Sequence, residues 1–274
     1  MKRPARLVVV TGCDTGIGKE LVKVLLRKGC VVAASYLETN PFPKDPRIHV
    51  RKMDLRKPAE VEEFCRFAKD LCNRRGVRLK AVVANAGVAL GGPVEDLPMD
   101  IYRESFEINF FGTVAVVQAM IPQLERDKGR ILVVGSLAGR IAMPFLSPYA
   151  ASKHALEGFC DSLRREMKPW GVETILVEPA AVATPIWNKA KRQDTSFVQE
   201  KYKKSLQRFK ETFVEGGNAG MDPAAAAARI GELLWVKKPR DRYIVAKDKA
   251  RSRLLLLVSR SLLDKGIVKK YMEF

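Results

Sequence analysis

Tyr149 and Lys153 are the residues of this chain whose types and spacing most directly suggest chemistry. Because they are four positions apart, a helix would place them on one face, one turn from each other. A lysine ammonium there would favour the tyrosinate and lower the phenol pKa from its usual value of about 10. A tyrosine tuned in this way can exchange a proton with an alcohol or a carbonyl near neutral pH. Ser136 ends an apolar run typical of a buried strand, and its hydroxyl could hold the same oxygen atom.

A tyrosine and a lysine at this spacing also occur by chance on helical surfaces, so the pair depends on the elements around it. Residues 7–10 form an uninterrupted apolar run, the pattern of a strand covered on both faces of a parallel sheet. The run leads into the segment TGCDTGIG at positions 11–18 and then into apolar residues at helical spacing. Glycines in such a turn let the backbone approach a pyrophosphate, which then rests on the positive end of the helix. The pattern predicts a dinucleotide site, with a merely tight strand-to-helix turn as the alternative.

Short apolar runs alternate with helical segments along the whole chain, and no Gly-, Ser- or Pro-rich linker divides it. This alternation predicts the α/β class: a single domain with a doubly wound parallel sheet of about seven strands and helices on both faces. We expect the catalytic domain to span residues 1–250, with residues 186–221 as a lid insertion over the substrate. Residues 251–274 are predicted to form a basic amphipathic C-terminal tail.

Five motifs occur in the order and spacing that is typical of one enzyme family, and the chain resembles the short-chain dehydrogenases/reductases over roughly residues 5–250. The amino-acid sequence of the glycine segment is similar to that of the branch that contains retinol and hydroxysteroid dehydrogenases. The resemblance implies a Rossmann fold and NAD(P)-dependent oxidation of alcohols or reduction of ketones. The motifs are, in chain order, Thr11-Gly12-x-x-x-Gly16-x-Gly18, Asn85-Ala86-Gly87, Asn109, Ser136 and Tyr149-x-x-x-Lys153.

The resemblance also implies a catalytic role for each of four residues. Tyr149 would exchange the proton, Ser136 would fix the substrate oxygen, and Lys153 would lower the tyrosine pKa and hold the nicotinamide ribose. Asn109 would bend its helix locally and hold a water of a proton relay. The alternative for Asn109 is an ordinary buried asparagine whose amide is satisfied by the backbone.

A larger set of residues is implied as the cofactor site. Asp54 would contact the adenine amine, and the segment after the proline at 179 would meet the nicotinamide amide. The family usually has a glycine where this chain has Ala180, so the path of that loop is expected to differ. The implied cofactor residues are Gly12, Asp14, Thr15, Gly16, Ile17, Gly18, Ser35, Tyr36, Asp54, Leu55, Asn85, Ala86, Gly87, Tyr149, Lys153, Pro179, Val182 and Thr184.

The choice between NAD and NADP depends on the end of the second predicted strand. An acid there accepts hydrogen bonds from the ribose hydroxyls of NAD, whereas arginine pairs with the 2′-phosphate of NADP. Ser35 and Tyr36 do neither, and Glu38 lies slightly beyond them. Asp14 stands in the glycine segment where many NADP enzymes carry a basic residue. Because an acid would repel the phosphate, the sequence favours NAD over NADP.

Several large apolar residues are expected near the substrate. Met143, Phe145 and Trp187 would join Ser136 and Tyr149 in contacting it. Within the lid, residues 202, 206, 209 and 213 are apolar or aromatic at helical spacing, which is typical of a lid over an apolar pocket and equally of a plain packed helix. We therefore expect a hydrophobic alcohol or ketone that is steroid-, retinoid- or fatty-alcohol-like.

The composition limits the other partners. The net charge of +18 fits attraction to anionic lipids, nucleic acid, or simply a lysine-rich surface, and nucleic acid is the least favoured because no recognition motif appears. The five scattered cysteines have neither disulfide nor metal-ligand spacing. No apolar run is long enough to span a bilayer, so we expect a cytoplasmic protein that touches a membrane, if at all, through its surface. The basic tail could lie on a membrane, cap the substrate mouth or pack on a second subunit.

Three functional hypotheses remain open on the sequence. The first is an NAD-linked dehydrogenase or reductase with a lipophilic substrate. The second is a catalytically idle member of the fold that senses a dinucleotide or serves as a scaffold. The third is a basic membrane- or nucleic-acid-associated protein with a vestigial site. The resemblance implies a homodimer or homotetramer paired through the helices that span residues 100–123 and 149–168.

Overall fold

The computed structural model describes residues 5–272 and arranges them around one β-sheet. The strands are β1 (Arg6–Val10), β2 (Val31–Tyr36), β3 (Ile48–Lys52), β4 (Arg78–Ala84), β5 (Arg130–Val134), β6 (Glu173–Pro179) and β7 (Arg242–Val245). The helices are α1 (Gly16–Arg27), α2 (Pro58–Arg75), α3 (Met99–Phe106), α4 (Gly112–Asp127), α5 (Ser147–Met167), α6 (Ile186–Lys191), α7 (Glu200–Phe209), α8 (Glu215–Asn218), α9 (Pro223–Leu233), α10 (Lys249–Leu255) and α11 (Arg260–Tyr271). Two π-helical turns, Glu107–Phe111 and Lys210–Val214, connect α3 to α4 and α7 to α8 without a break.

All strands are parallel and lie in the order β3-β2-β1-β4-β5-β6-β7. The order reverses between β1 and β4, because the first crossovers run toward one edge of the sheet and the later ones toward the other. At such a reversal the loops at the carboxyl ends of the strands diverge and leave a crevice. The predicted single-domain, doubly wound sheet of the α/β class is confirmed.

Both faces of the sheet are covered, which explains why β1 is apolar at every position from Leu7 onward. Leu7 and Val9 pack against α2, α4 and α5, whereas Val8 and Val10 pack against α1 and α9. Successive side chains of a strand point to opposite faces, so a strand between two helical layers must be apolar throughout. The two layers hold the crevice loops in place from both sides.

A third apolar cluster joins the lid to the tail. Leu206 and Phe209 of α7 pack with Tyr271 at the end of α11, and Phe145 and Val198 complete the contact. The apolar stripe predicted along residues 202–213 therefore faces the body of the protein. The division into a lid at residues 186–221 and a separate tail at residues 251–274 stays a prediction. Among residues 5–272, no helix combines the length and apolar character that crossing a bilayer requires.

Candidate active site

A cavity of about 760 Å³ runs from the glycine loop to the lid. It lies in the crevice beyond the carboxyl ends of the central strands and is bordered by the loops that follow β1, β2, β4, β5 and β6. Its volume is in the range of roughly 300–1,000 Å³ found for small-molecule and cofactor sites. The predicted reactive residues Ser136, Tyr149 and Lys153 and the predicted glycine loop therefore border the same cavity.

Glycine is required in the loop after β1 for conformation and for space. Gly12 and Gly16 have φ angles of 66° and 58°, in the left-handed region that favours glycine. A Cβ atom on Gly18 would lie 2.2 Å from the carbonyl oxygen of Gly12, and one on Gly16 would lie 3.0 Å from Cγ2 of Thr184. The loop therefore folds back on itself and touches the segment after β6. This close approach leaves its backbone open to a pyrophosphate, so the cradle fits a dinucleotide.

Side chains from neighbouring strands hold this loop in position. The Asn85 amide donates to the carbonyl oxygens of Thr11 and Gly12 at 2.9 and 3.0 Å. The Thr11 hydroxyl accepts from the backbone N–H groups of Asn85 and Ala86 at 3.0 and 3.1 Å. The Ser35 hydroxyl accepts from the N–H of Gly12 at 3.3 Å. Sequence analysis did not include Thr11 among the site residues, although its position directly after β1 was a usable signal.

An acidic group lies where β2 ends. The Asp14 carboxylate accepts hydrogen bonds from the N–H groups of Leu37, Glu38 and Thr39 at 3.0, 2.8 and 3.1 Å. These contacts order the loop after β2 and keep the Asp14 charge beside it. Across the cleft, Lys189 of α6 forms an exposed ion pair with Glu38 at 2.7 Å. The cleft thus carries two carboxylates at the position of a Rossmann-bound adenosine ribose.

Asp54 borders the cavity, but its carboxylate is already occupied. The Arg56 guanidinium donates to it at 2.8 Å, and this hydrogen bond holds the pKa of Asp54 below its usual range against the effect of burial. Arg56 also pairs with Glu104 of α3 at 2.9 Å. Sequence analysis missed Arg56, whose role becomes visible only when α3 is placed beside the loop.

Ser136, Tyr149 and Lys153 line the same part of the cavity. Tyr149 and Lys153 lie one turn apart near the start of α5, and the Lys153 ammonium is 5.9 Å from the centre of the Tyr149 ring. Lys153 also donates to the carbonyl oxygen of Val134 at 3.0 Å, which ties α5 to the end of β5. The Ser136 hydroxyl accepts from the N–H of Ala138 at 3.1 Å and so has a defined direction.

Burial controls the pKa values of this group. Burial raises the pKa of Tyr149, and the hydrogen bond with Ser136 opposes that shift only in part. Burial also lowers the pKa of Lys153 to about 8. We expected Lys153 to lower the tyrosine pKa below its normal value, and the structure differs because the desolvation of Tyr149 outweighs the other influences. With a pKa of about 8, Lys153 keeps its positive charge at neutral pH.

Asn109 lies behind the cavity wall and not in it. It is fully buried in the π-helical turn, where its amide oxygen accepts from the N–H of Val88 at 2.8 Å. Its amide nitrogen donates to the Val88 carbonyl at 3.0 Å and to the Ser152 hydroxyl at 2.9 Å. A Cβ on Gly87 would lie 3.0 Å from the amide oxygen of Asn109 and 3.5 Å from the Lys153 nitrogen. Most of these contacts are to the backbone, as expected for the buried asparagine that sequence analysis kept as an alternative. They also place Asn109 close to Lys153.

Most of the residues that the sequence singled out border the cavity. Gly18, Asn109 and Phe145 do not: Gly18 packs against the loop backbone, and the Phe145 ring packs edge-on against Phe209 at 5.6 Å in the third cluster. The predicted residues that line the cavity are Gly12, Asp14, Thr15, Gly16, Ile17, Ser35, Tyr36, Asp54, Leu55, Asn85, Ala86, Gly87, Ser136, Met143, Tyr149, Lys153, Pro179, Val182, Thr184 and Trp187.

The lid and the tail border the cavity. The Trp187 indole packs edge-on against Phe213 at 5.7 Å. Tyr271 contacts Phe209 and Phe213 with ring centres 5.4 and 6.4 Å apart, and both Tyr271 and Lys270 border the cavity. Sequence analysis missed Tyr271 and Lys270 as site residues, because the path of the tail cannot be inferred from its composition.

Comparison with known proteins agrees with this geometry. The short chain dehydrogenase family matches residues 6–195. The NADPH-dependent 3-dehydrocapnine reductase of Ornithobacterium rhinotracheale is 32% identical, and the alignment covers 95% of each chain. Estradiol 17-beta-dehydrogenase 2 of Mus musculus is 36% identical over 69% of this chain and 52% of its own length.

A solved structure shows the same fold at low sequence identity. The short chain dehydrogenase/reductase of Burkholderia phymatum in complex with NAD superimposes with a TM-score of 0.80 at 17% identity, covering 100% of this chain and 99% of that chain. The family match extends over more than half of the sequence, and the reductase relative aligns over nearly all of it. This chain therefore belongs to the short-chain dehydrogenase family, whose members are NAD(P)-dependent oxidoreductases that act on CH–OH or ketone groups.

Proposed function

We propose that this chain transfers a hydride between nicotinamide and the alcohol or ketone carbon of a hydrophobic substrate, with Tyr149 as general acid/base. The observation that carries the proposal is a single cavity with the glycine loop at one end, an apolar lid at the other, and Ser136, Tyr149 and Lys153 between them. A bound nicotinamide cofactor would supply the hydride acceptor or donor. The residues of the chain would bind and orient both ligands and move the proton.

Each residue of the group has a distinct task in the proposed mechanism. In reduction the Tyr149 hydroxyl gives its proton to the substrate oxygen, and in oxidation the tyrosinate takes the alcohol proton. The Ser136 hydroxyl donates a hydrogen bond to that same oxygen. The Lys153 charge stabilises the tyrosinate whenever it forms, and Lys153 would also hold the ribose of the cofactor. Asn109 acts as a positioning residue, since it orders the backbone at Val88 beside Lys153.

We propose NAD as the preferred cofactor. Asp14 accepts from the backbone N–H of Glu38 at the end of β2, where a 2′-phosphate would meet two carboxylates, of which, among residues 5–272, only Glu38 is paired with a cation, Lys189. The reductase relative is named as NADPH-dependent, but cofactor choice depends on a few side chains at this position, and a 32% identical chain can differ there. Asp14→Asn removes one of the two charges and should narrow the preference for NADH over NADPH. An equal loss of both affinities would show that Asp14 only orders the loop.

A hydrophobic substrate is supported by the side chains at the lid end of the cavity. Met143, Trp187, Phe213 and Tyr271 border it there. Aromatic and thioether groups gain little from a sugar or a charged acid, but they bury the rings or chain of a lipophilic alcohol. One relative is named as an estradiol dehydrogenase, which fits a steroid-like substrate. Retinoid-like and fatty-alcohol-like substrates fit the same surface.

We propose that subunits pair through the helical stretch 100–123, which includes the π-helical turn Glu107–Phe111, and through α5. Phe111 is 52% exposed, and the partly buried ring of Phe110 joins it to Phe159 of α5 at centre distances of 5.3 and 6.1 Å. Such an aromatic surface is typical of an oligomer interface. Phe111→Asp should shift the protein to monomer in light scattering. An unchanged mass, or a monomeric wild-type protein, would contradict this interface.

The experiment that tests the function combines cofactor binding with turnover. Purified protein is titrated with NADH and NADPH by fluorescence, and absorbance is followed with steroid, retinoid and aliphatic alcohols and ketones. Tyr149→Phe should lower kcat by about 10²–10⁴-fold while cofactor binding persists. Tyr243→Phe, the same change in β7, is the matched control. Tight binding without turnover would favour the idle sensor, and no binding would overturn the cofactor site.

A further inference from the structure

The tail carries an unusual share of exposed apolar surface. Among residues 5–272, ten large apolar side chains are exposed, and five of them lie in α10, α11 and the segment that connects them. Leu254, Leu257 and Leu262 are 64, 81 and 63% exposed. With Leu255 and Val268 they form the surface that we call the tail patch. Single exposed apolar residues are normal on soluble proteins, whereas a concentration of them marks an interaction surface.

The apolar residues of α11 lie on two sides of the helix. Ile267 and Tyr271 are one turn apart and pack inward against the lid cluster. Leu262 lies about 180° around the helix from Tyr271 and remains exposed, and Val268 is exposed on the flank between them. A helix that is apolar on opposite sides is normally buried on both. The fold buries only the inner side of α11, so the exposed apolar residues are available to contact a partner.

Charge identifies the kind of partner. Residues 251–272 contain six basic side chains and one acidic side chain, Asp264, which gives a local net charge of +5 within a chain of net charge +18. A second copy of the chain would bring the same positive charge to the contact and would be repelled. Nucleic acid would meet the charges but would gain nothing from exposed leucines. An anionic lipid surface satisfies both features, because headgroups pair with the basic residues while leucines enter the acyl boundary.

The tail patch also borders the cavity. Leu255 is 41% exposed and lines the cavity wall, and Lys270 and Tyr271 line it from the end of α11. The surface that would meet lipid is therefore continuous with the end of the cavity that the lid and the tail border. A hydrophobic molecule dissolved in a bilayer would reach this end without crossing bulk water.

We propose that α10 and α11 dock on an anionic membrane surface through the tail patch, and that the substrate enters the cavity from that surface. The docking depends only on the exposed leucines and the basic residues around them. The entry route rests, in addition, on the proposed oxidoreductase function. Binding takes two signals, apolar insertion and charge, because either alone gives only marginal attachment.

The test measures the binding of the full chain to vesicles. Protein is sedimented with vesicles of phosphatidylcholine alone or with 30 mol% phosphatidylserine (about one anionic lipid in three), at low and high salt. The variant Leu254→Ser/Leu257→Ser/Leu262→Ser removes the three most exposed leucines of the patch without touching a cavity residue. Trp170→Ser is the matched control, since Trp170 is 55% exposed and lies at the opposite end of the sheet, before β6.

We expect the wild-type protein to bind the anionic vesicles, to bind them less at high salt, and to bind phosphatidylcholine at least about tenfold more weakly. The triple variant should bind the anionic vesicles at least about tenfold more weakly, and Trp170→Ser should bind as the wild type does. Equal binding of the triple variant, no binding of the wild type, or an equal loss in Trp170→Ser would overturn the proposal. So would tighter binding to duplex DNA than to the vesicles. Because no substrate is present, these results are independent of whether the chain turns over any alcohol.

Discussion

Gly217 in the lid is a position where one added methyl group should have a large and local effect. A Cβ atom there would lie 2.4 Å from Cδ2 and Cε2 of the Trp187 indole, far inside van der Waals contact. The backbone of α8 accepts alanine at this position, so the indole is the group that must move. We expect Gly217→Ala to displace Trp187 from its place between α8 and Phe213.

The size of the effect follows from the contacts that Trp187 makes. Its indole N–H donates to the carbonyl of Val182 at 2.7 Å, a hydrogen bond that contributes about 1 kcal/mol. Its edge contact with Phe213 contributes about another 1 kcal/mol. Gly216→Ala is the matched control, because its Cβ would meet no atom within 4 Å. Both substitutions gain the same helix propensity of roughly 0.5–1 kcal/mol, so the two variants should differ by about 2 kcal/mol.

Thermal unfolding of the two variants measures this difference. About 2 kcal/mol corresponds to roughly 5 °C in Tm for a chain of this size. Since Trp187 borders the cavity, Gly217→Ala should also raise KM for a substrate by about tenfold. Variants within about 0.5 kcal/mol of each other would refute the reasoning. So would a Gly216→Ala protein that unfolds at the lower temperature.

Three further substitutions test other parts of the structure. Gly18→Ala should abolish dinucleotide binding, measured by NADH fluorescence, because its Cβ would lie 2.2 Å from the carbonyl oxygen of Gly12. Asn109→Ala should lower the free energy of unfolding in urea by roughly 3 kcal/mol, because the N–H and C=O groups of Val88 lose their partner. Burial raises the pKa of Glu157 to about 7, so the folded state binds this proton more tightly than the unfolded state. Stability should therefore fall as the pH rises from about 4.5 through about 7, by an amount on the order of 2 kcal/mol that Glu157→Gln largely removes.

Each of these tests has an outcome that contradicts it. Retained NADH affinity in Gly18→Ala would show that the loop can open without loss, and Gly158→Ala in α5, which meets no atom within 4 Å, controls for the general effect of the substitution. A loss below about 1 kcal/mol in Asn109→Ala would mean that water replaces the amide. If the free energy of unfolding of Glu157→Gln depends on pH as that of the wild-type protein does, another group causes this dependence.

The features that the sequence predicted well depend on residues close together in the chain. The glycine loop occupies positions 11–18 between β1 and α1, and Tyr149 and Lys153 share one turn of α5. Local spacing decides such geometry, because strand and helix periods set which residues share a face. The alternation of apolar runs with helical segments likewise predicted the doubly wound sheet, since each buried strand needs a helix to cover it.

Predictions about the environment of single side chains were less reliable. The spacing of Tyr149 and Lys153 suggested a lowered tyrosine pKa, but burial, which the spacing does not reveal, raises it. The sequence suggested that Phe145 lines the cavity, yet its ring packs on Phe209 in the lid. Burial and contacts with distant segments both depend on tertiary packing, about which periodicity carries no information.

The sequence by itself therefore determined the class of fold, the glycine loop after β1 and the placement of Tyr149 and Lys153 on one turn of α5, because each depends on spacing within one element or between an element and its own turn. Only the tertiary structure decided that Asp14 caps the loop after β2 and that Asn109 is bound by Val88. The same is true of Tyr271, which borders the cavity and packs against Phe209. Those contacts join segments separated by 21 to 62 positions, and a chain can bring such segments together only through the packing of the whole sheet and its helices.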